Sequence, residues 1–386
     1  MRKGRFSSLV FVAFLLIVSS DVLADVGWDQ ASAFIGNTTI VEASHVYPGT
    51  LYAGSTVGFY RSVDEGLQWE KIADGDFSNV IVSDTYPEVI ISSSMGPVIR
   101  VSENQGESWL EIVHDSPLGC LAGCFHPMES ETAYLGSSKG VLLIKKETGN
   151  WNQPVLLNNH PVDEFVYHEF HIICDENTQI YGYSPLDGVI ILEQVGDDWI
   201  MTETGDMPDE FLEITALEYI AIEDCFYAGS VGGLLSKKVR GSAEWISVAT
   251  PEAFENTQIR NIFYSDCNGL IVASGFRFYK QRKNGFEALG VLVLEQTECT
   301  SIREIPGNHN LITAGYGGCY HYSFLLNRWE LRLKGIQNLD VQAVCFHPTS
   351  RFEALIALDG AGIFRTTDGG NSWVQCNRGL SSYKVV

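Results

Sequence analysis

Residues 366–373, TTDGGNSW, combine the side chains from which catalytic and metal-binding loops are built. Asp368 offers a carboxylate, Thr366 a hydroxyl, and the two following glycines would let the backbone turn sharply. Such a carboxylate can act as a general base or hold a cation. It can also accept hydrogen bonds from backbone amides further along a turn. The rest of the chain decides between these possibilities.

The same pattern occurs twice more, as SVDEGLQW in residues 62–69 and SENQGESW in residues 102–109. The hydroxyl and the carboxylate or amide can bond the loop backbone, and Gly supplies a positive φ. The Trp buries its ring under the loop and can donate its indole N–H there. We therefore predict a structural role in three hairpin loops for Ser62, Asp64, Gly66, Trp69, Ser102, Asn104, Gly106, Trp109, Thr366, Asp368, Gly370 and Trp373.

The loops belong to a longer repeat with a period of 40 to 48 residues, which tryptophans mark. Each unit contains short runs rich in Val, Ile, Tyr and Phe, punctuated by Gly, as in TLYAGSTVGFYRS (50–62). Short strands at this period predict an all-β fold, a single β-propeller of four-stranded blades. Eight units favour eight blades. Seven is the alternative if the degenerate unit around Phe286 fails to form a blade.

Both ends of the repeat region begin as an outer strand: WDQASAFIGNTTIV at residue 28 and WVQCNRGLSSYKVV at residue 373. The chain thus carries one surplus outer strand. An open ring would leave a sheet edge free to pair with other chains. We therefore predict that a strand from one terminus closes the ring by completing a blade made mostly by the other.

The three loops resemble the Asp-box, or BNR, repeats of bacterial sialidases, sortilin-type receptors, xyloglucan-cleaving glycosidases and photosystem II assembly factors. Over residues 28–386 the pattern looks most like the assembly factors and the WD40/YVTN/BNR-like exported propellers. The resemblance implies that the box is structural and lies at the periphery, away from the central channel.

The N-terminus predicts a signal peptide over residues 1–24, followed by the propeller over residues 25–386. Arg2, Lys3 and Arg5 precede the apolar run 9–18, and Val22 and Ala24 suit a cleavage site. The run is too short to span a bilayer, which takes about 20 residues. We expect an exported protein, periplasmic or secreted, with no membrane insertion after signal removal. A retained N-terminal anchor is the minor alternative.

The formal net charge of −23 excludes nucleic acid as a partner, because an acidic surface repels phosphates. The nine cysteines are an odd number, and no CxxC occurs. Cys124, Cys225 and Cys345 lie in apolar, strand-like runs, which predicts buried thiols at these positions.

No pattern in the chain points to an enzyme, so we predict no catalytic residue, no cofactor and no metal. A sialidase needs three arginines converging on a substrate carboxylate, and the arginines here are scattered. A carbohydrate-active enzyme, glycoside hydrolase or sialidase-like, stays open as the alternative, with carboxylates at the channel mouth.

The favoured function is a non-enzymatic binding or assembly scaffold for an extracytoplasmic protein or glycan, acting as a monomer. Loops on a rigid scaffold often carry function. The fourth and fifth units have the longest loops, and these loops are acidic and aromatic. Their aromatic residues are our candidates for binding a partner: Phe165, Tyr167, Phe170 and Phe211.

Overall fold

The computed structural model describes residues 38–94, 96–114, 120–137, 140–157, 173–174, 179–184, 188–195, 198–203, 213–242, 244–275, 277–290, 299–315, 318–332, 341–347, 350, 352–358, 362–369 and 373–376. All lie in one compact unit, Ser32–Val386. The predicted signal peptide, residues 1–24, lies outside the described residues and stays a prediction. The regular structure described is β apart from one short 3-10 helix, Glu252–Phe254.

The strands form eight antiparallel sheets, each built from strands consecutive in the sequence. The strands of sheets 1 to 4 are β1 Thr38–Ala43, β2 Leu51–Ser55, β3 Gly58–Ser62 and β4 Glu70–Asp74; β5 Asn79–Val82, β6 Ile90–Ser93, β7 Val98–Ser102 and β8 Leu110–Val113; β9 Cys120–His126, β10 Glu129–Ser137, β11 Gly140–Glu147, β12 Asn150–Trp151 and β13 Val155–Leu156; β14 Ile173–Cys174, β15 Ile180–Ser184, β16 Gly188–Val195 and β17 Asp198–Glu203. In sheet 3 both β12 and β13 pair with β11.

Sheets 5 to 8 follow the same order. Their strands are β18 Ile214–Ile220, β19 Cys225–Ser230, β20 Leu235–Val239 and β21 Ile246–Val248; β22 Ile259–Ser265, β23 Gly269–Ser274, β24 Arg277–Arg282 and β25 Gly285–Ala288; β26 Cys299–Glu304, β27 Leu311–Gly315, β28 Gly318–Ser323 and β29 Arg328–Arg332; β30 Val341–Phe346, β31 Ala354–Leu358, β32 Gly362–Thr366 and β33 Val374–Gln375.

Small residues in the second strand of a sheet allow the next sheet to approach closely. Gly54 lies inside β2, where a Cβ atom would stand 2.1 Å from the carbonyl oxygen of Phe77. Gly229 holds the corresponding place in β19, where a Cβ would stand 2.4 Å from Ile259 Cγ2. The Gly of the recurring YAGS sequence is therefore needed for packing between sheets.

Sheets 1 to 7 pack face to face in chain order, and each neighbouring pair shares one cluster of buried apolar side chains. Sheet 7 then packs against sheet 1 through a cluster that includes Val41, Tyr60, Ile305 and Ile312. The Val41 amide also donates to Ser301 Oγ at 2.8 Å. Seven sheets thus form a ring with their first strands innermost.

Among the described residues, sheet 8 shares no buried cluster with this ring. Its buried cluster consists of Ile356, Leu358 and Phe364 with Trp373 packed on them, all from sheet 8 itself. Every residue from 342 to 347, in and just after the first strand, is exposed. In the first strands of the ring, every residue whose burial the structure describes is buried or half-buried.

The eight sheets confirm the all-β propeller fold and the eight repeat units. The unit around Phe286 forms the complete sheet β22–β25, so the suspicion that it fails to form a blade was wrong. Sheet 8 is instead the unit that lies outside the ring. Among the described residues no sheet combines strands from both ends of the chain. Closure by a terminal strand stays a prediction, because residues 1–37 and 377–386 are not described.

Seven cysteines whose side chains the structure describes are free thiols. Cys120, Cys225 and Cys319 are buried, Cys124 is half-buried, and Cys267, Cys345 and Cys376 are exposed. The prediction of a buried thiol is confirmed for Cys225 and wrong for Cys345, whereas Cys124 is half-buried. The reason is that the strand carrying Cys345 belongs to the sheet outside the ring. Among the described residues no helix is long and apolar enough to cross a bilayer.

Candidate binding site

The first predicted loop, residues 62–69, connects β3 to β4 and is held by two side chains. Ser62 Oγ donates to Asp64 Oδ1 at 2.8 Å and accepts the Gly66 amide at 2.9 Å. Asp64 Oδ1 also accepts the Gln68 amide at 2.8 Å. The side chains of Ser62 and Asp64 thus form hydrogen bonds within the loop itself.

The second loop repeats this arrangement between β7 and β8. Ser102 Oγ accepts the Gly106 amide at 2.8 Å, and Asn104 Oδ1 accepts the Ser108 amide at 2.9 Å. Gly66 and Gly106 have φ of 83° and 88°, as predicted for these glycines. The residue before each, Glu65 or Gln105, is also left-handed, with φ of 59° and 58°.

The third loop lies between β32 and β33, in the sheet outside the ring. Thr366 Oγ1 donates to Asp368 Oδ1 at 2.8 Å, as in the other two loops. Gly369, with φ of 75°, takes the place of the left-handed Glu65 and Gln105. Gly370 lies outside the described residues.

The tryptophans of the three loops differ from the prediction in one respect. Trp69 is buried, and Trp109 and Trp373 are half-buried. Yet the indole nitrogens of all three have no hydrogen-bond partner. The Trp109 ring instead packs at 5.1 Å between centroids on both Phe59 and Phe77. Ring packing, rather than the predicted indole hydrogen bond, holds these side chains.

The four loop aromatics predicted to bind a partner, Phe165, Tyr167, Phe170 and Phe211, lie outside the described residues. Their role as a binding surface stays a prediction.

The inner strands carry a cluster of charges that the sequence analysis missed. Arg303 in β26 donates from Nε to Glu42 Oε2 at 2.7 Å and from Nη2 to Glu42 Oε1 at 2.6 Å. Glu42 in β1 is only 8% exposed. This two-pronged ion pair links sheet 7 to sheet 1 on their inner strands.

Strand register brings a third charge, Glu218 of β18, to the same level. β1, β18 and β26 share a register shift near their starts, and Glu42, Glu218 and Arg303 occupy equivalent positions after it. Burial raises the pKa of Glu218 to about 7, opposed by the positive charge of Arg303 and by a hydrogen bond from the Tyr264 amide. Burial likewise raises the pKa of Glu42, and Arg303 opposes that effect.

The chemistry open to this cluster is limited. A glycosidase needs one carboxylic acid and one free carboxylate facing the sugar. Both oxygens of Glu42 are already occupied by Arg303. Among the described residues Glu218 has no such ion pair, and burial raises its pKa to about 7, which suits a general acid.

The larger exposed feature is the apolar surface of sheet 8. Val344, Phe346, Phe352, Leu355 and Val374 are all large apolar side chains with substantial exposure, and 74% of Phe346 is exposed. Val344 and Phe346 lie on one face of the sheet, and Leu355 and Val374 lie on the other. Single exposed apolar residues are normal, but several of them on one small sheet favour an interaction surface. We call these five residues the sheet 8 surface.

Comparison with the ring shows what is unusual about this surface. After the register shift, Val344 of β30 occupies the position that Val41 occupies in β1. Val41 is 0% exposed and Val344 is 51% exposed. The sequence analysis could not find this difference, because both side chains belong to the same repeat pattern.

A ring of antiparallel sheets, six of them four-stranded and one five-stranded, with the first strands innermost defines the protein as a β-propeller. No protein-family model and no curated protein sequence matches the chain. Among solved structures, the GH74 xyloglucanase from Xanthomonas campestris matches with a TM-score of 0.65 at 12% identity, over 89% of this chain and 68% of that one. An ancestral GH74 enzyme matches with a TM-score of 0.70 at 14% identity, over 92% of this chain and 56% of that one.

YCF48 from Cyanidioschyzon merolae is also similar, with a TM-score of 0.58 at 14% identity, over 76% of this chain and 96% of that one. At these identities the comparisons establish the fold alone.

Proposed function

We propose that the protein is a non-enzymatic binding scaffold in which the ring carries sheet 8 as a docking surface for another protein. The observation that carries this proposal is the exposure of Val344, Phe346 and Leu355. Their counterparts in sheet 1, Val41, Ala43 and Tyr52, are buried. A propeller sheet normally covers both faces with its neighbours. When a partner covers exposed apolar side chains, their removal from water stabilises the complex by about 25 cal/mol per Å² of apolar surface.

Solved structures of similar fold support a role in protein binding. One of them is YCF48 bound to D1 peptide, which matches over 80% of this chain with a TM-score of 0.57 at 13% identity. By analogy in fold only, we propose that this chain also binds a protein. The partner would be extracytoplasmic, since the N-terminus has the pattern of a signal peptide.

Export has a second, weaker support. The extracellular domain of a two component system protein from B. thetaiotaomicron has the same fold, with a TM-score of 0.57 at 11% identity. We propose a periplasmic or secreted location. Within this proposal the three Asp-box loops are structural, because the Asp64, Asn104 and Asp368 side chains bond within their own loops.

A glycan ligand, or a carbohydrate-active enzyme, is the second candidate. It is favoured by Glu218, an inner-strand carboxyl whose pKa is raised by burial and lowered in part by the charge of Arg303. The occupation of both Glu42 oxygens by Arg303 makes it the weaker proposal.

The test uses the full-length protein immobilised and exposed to an envelope extract of the source organism. The variant Val344→Ser with Phe346→Ser removes two apolar side chains of the sheet 8 surface. The matched control is Tyr86→Ser, which removes an aromatic that is 79% exposed on sheet 2. We expect a protein that wild type and the control retain and the double variant loses.

Equal recovery by all three proteins would overturn docking on sheet 8. A parallel assay measures release of reducing ends from xyloglucan. Cleavage by wild type that is lost in Glu218→Gln would establish the second candidate instead.

A further inference from the structure

We propose that Cys267 and His309 bind a divalent transition metal ion of the zinc class at the junction of sheets 6 and 7, with Glu304 orienting the histidine. Cys267 lies in the turn between β22 and β23. Glu304 ends β26, and His309 lies in the following turn. One donor atom from each residue lies within 4.8 Å of the other two.

The hydrogen bond to Glu304 decides which nitrogen of His309 is available. His309 Nδ1 lies 2.6 Å from Glu304 Oε1. An ionised carboxylate can only accept, so the proton resides on Nδ1. His309 Nε2 then presents its lone pair, and Cys267 Sγ lies 3.6 Å from it.

That separation suits a shared metal ion. Zinc binds thiolate sulfur at about 2.3 Å and imidazole nitrogen at about 2.0–2.1 Å in tetrahedral geometry, so two such ligands stand about 3.6 Å apart. Sulfur and imidazole are also the ligand types that zinc accepts together. Two positions remain for water, or for donors from a partner, since both side chains are exposed.

The carboxylate is held in place by a further shell of contacts. Asn268 Nδ2 donates to Glu304 Oε2 at 2.7 Å and to the His309 carbonyl oxygen at 2.9 Å. Lys280 Nζ donates to Asn268 Oδ1 at 3.0 Å. A carboxylate on the second nitrogen of a ligand histidine is the usual way to fix its ring for a metal.

The chain supplies matched controls for the thiol. Cys345 and Cys376 are also exposed, and their sulfurs contact the backbone oxygens of Phe346 and Val374. In the part of the chain that the structure describes, Cys267 is the exposed cysteine whose sulfur faces a histidine nitrogen. A metal that recognises this pair should ignore the other two thiols.

The experiment titrates the reduced full-length protein with Co²⁺ and follows the thiolate-to-metal absorption band, then displaces Co²⁺ with Zn²⁺. We expect one ion per chain, with the band abolished in Cys267→Ser and unchanged in Cys376→Ser. Glu304→Gln should keep the band and weaken binding by about 10–100-fold, as expected for an orienting carboxylate.

A second measurement does not depend on how well the variants fold. Iodoacetamide labelling of wild type, read by mass spectrometry, should slow at Cys267 when Zn²⁺ is added and stay constant at Cys345 and Cys376. Absence of the band, its persistence in Cys267→Ser, or equal protection of all three thiols would overturn the metal site.

Discussion

Replacing Arg303 by Met should weaken the junction of sheets 7 and 1 far more than the loss of an exposed ion pair. In the native protein the guanidinium bonds both oxygens of Glu42, whose side chain is almost completely buried. Met keeps much of the volume of the arginine stem but offers no donor. The variant therefore leaves a buried carboxylate without its counter-charge.

The magnitude follows from the exposure of the two partners. Removing one partner of a buried ion pair costs about 3–5 kcal/mol. Because the Arg303 side chain is 35% exposed, water lowers the value of the pair. We expect a loss of about 2–4 kcal/mol in the free energy of unfolding near pH 8. The loss should shrink at lower pH, because burial already raises the pKa of Glu42 and a protonated Glu42 needs no counter-charge.

The assay is a double-mutant cycle of Arg303→Met and Glu42→Gln, with unfolding by urea followed by tryptophan fluorescence and circular dichroism. The control is Arg282→Met, which breaks an exposed pair with Glu287 at 2.7 Å. Exposed pairs contribute at most about 1 kcal/mol. Additive effects of the two inner-strand substitutions, or an Arg303→Met cost no larger than that of the control, would refute the reasoning.

Three further predictions concern the loops, the inner strands and the glycines. Asp64→Ala should lower the stability of the ring by about 0.5–2 kcal/mol, whereas Asp368→Ala should leave ring melting unchanged, because its loop belongs to sheet 8. The pKa of Glu218 is about 7 in the folded protein and 4.5 for an ordinary Glu. The folded state therefore holds this proton more tightly than the unfolded state. The resulting contribution to the free energy of unfolding is fully present below about pH 4.5 and is lost as the pH rises through 7. Denaturation at about pH 5 and pH 8.5 should therefore show wild type losing about 2 kcal/mol more than Glu218→Gln. Gly233→Ala would place a Cβ 1.7 Å from the Phe254 carbonyl oxygen, so it should lower the free energy of unfolding by more than about 3 kcal/mol. Gly241→Ala has open space around it and a φ of 79°, so the loss should be about 1 kcal/mol. Thermal melting of both variants measures the difference.

The repeat pattern predicts the elements of this fold well, because each unit repeats the same local signals. The three loops fall between the third and fourth strands of their sheets, as the spacing predicts. In the first two loops Gly66 and Gly106 have a positive φ, where the Asp/Asn–x–Gly pattern places it. These features depend on contacts within a few residues, which a sequence exposes directly.

Features that depend on contacts between units could not be predicted. Glu42, Glu218 and Arg303 are 85 to 261 residues apart, and only the shared register of three inner strands brings them to one level. Cys267, Glu304 and His309 likewise meet across two units. Val41 and Val344 occupy the same position of the repeat, so the sequence does not distinguish them. Val41 is buried and Val344 is exposed because sheet 1 has neighbours in the ring and sheet 8 lies outside it.

Native-state hydrogen exchange, read by mass spectrometry on the full-length protein, tests the central claim most directly. If sheets 1 to 7 form the closed ring and sheet 8 lies outside it, the amides of β30–β32 should exchange faster than those of β1 and β26. The free energy of the opening that exposes them should be several kcal/mol lower. Protection of β30–β32 equal to that of β1 and β26 would place sheet 8 inside the ring and contradict a free docking surface there.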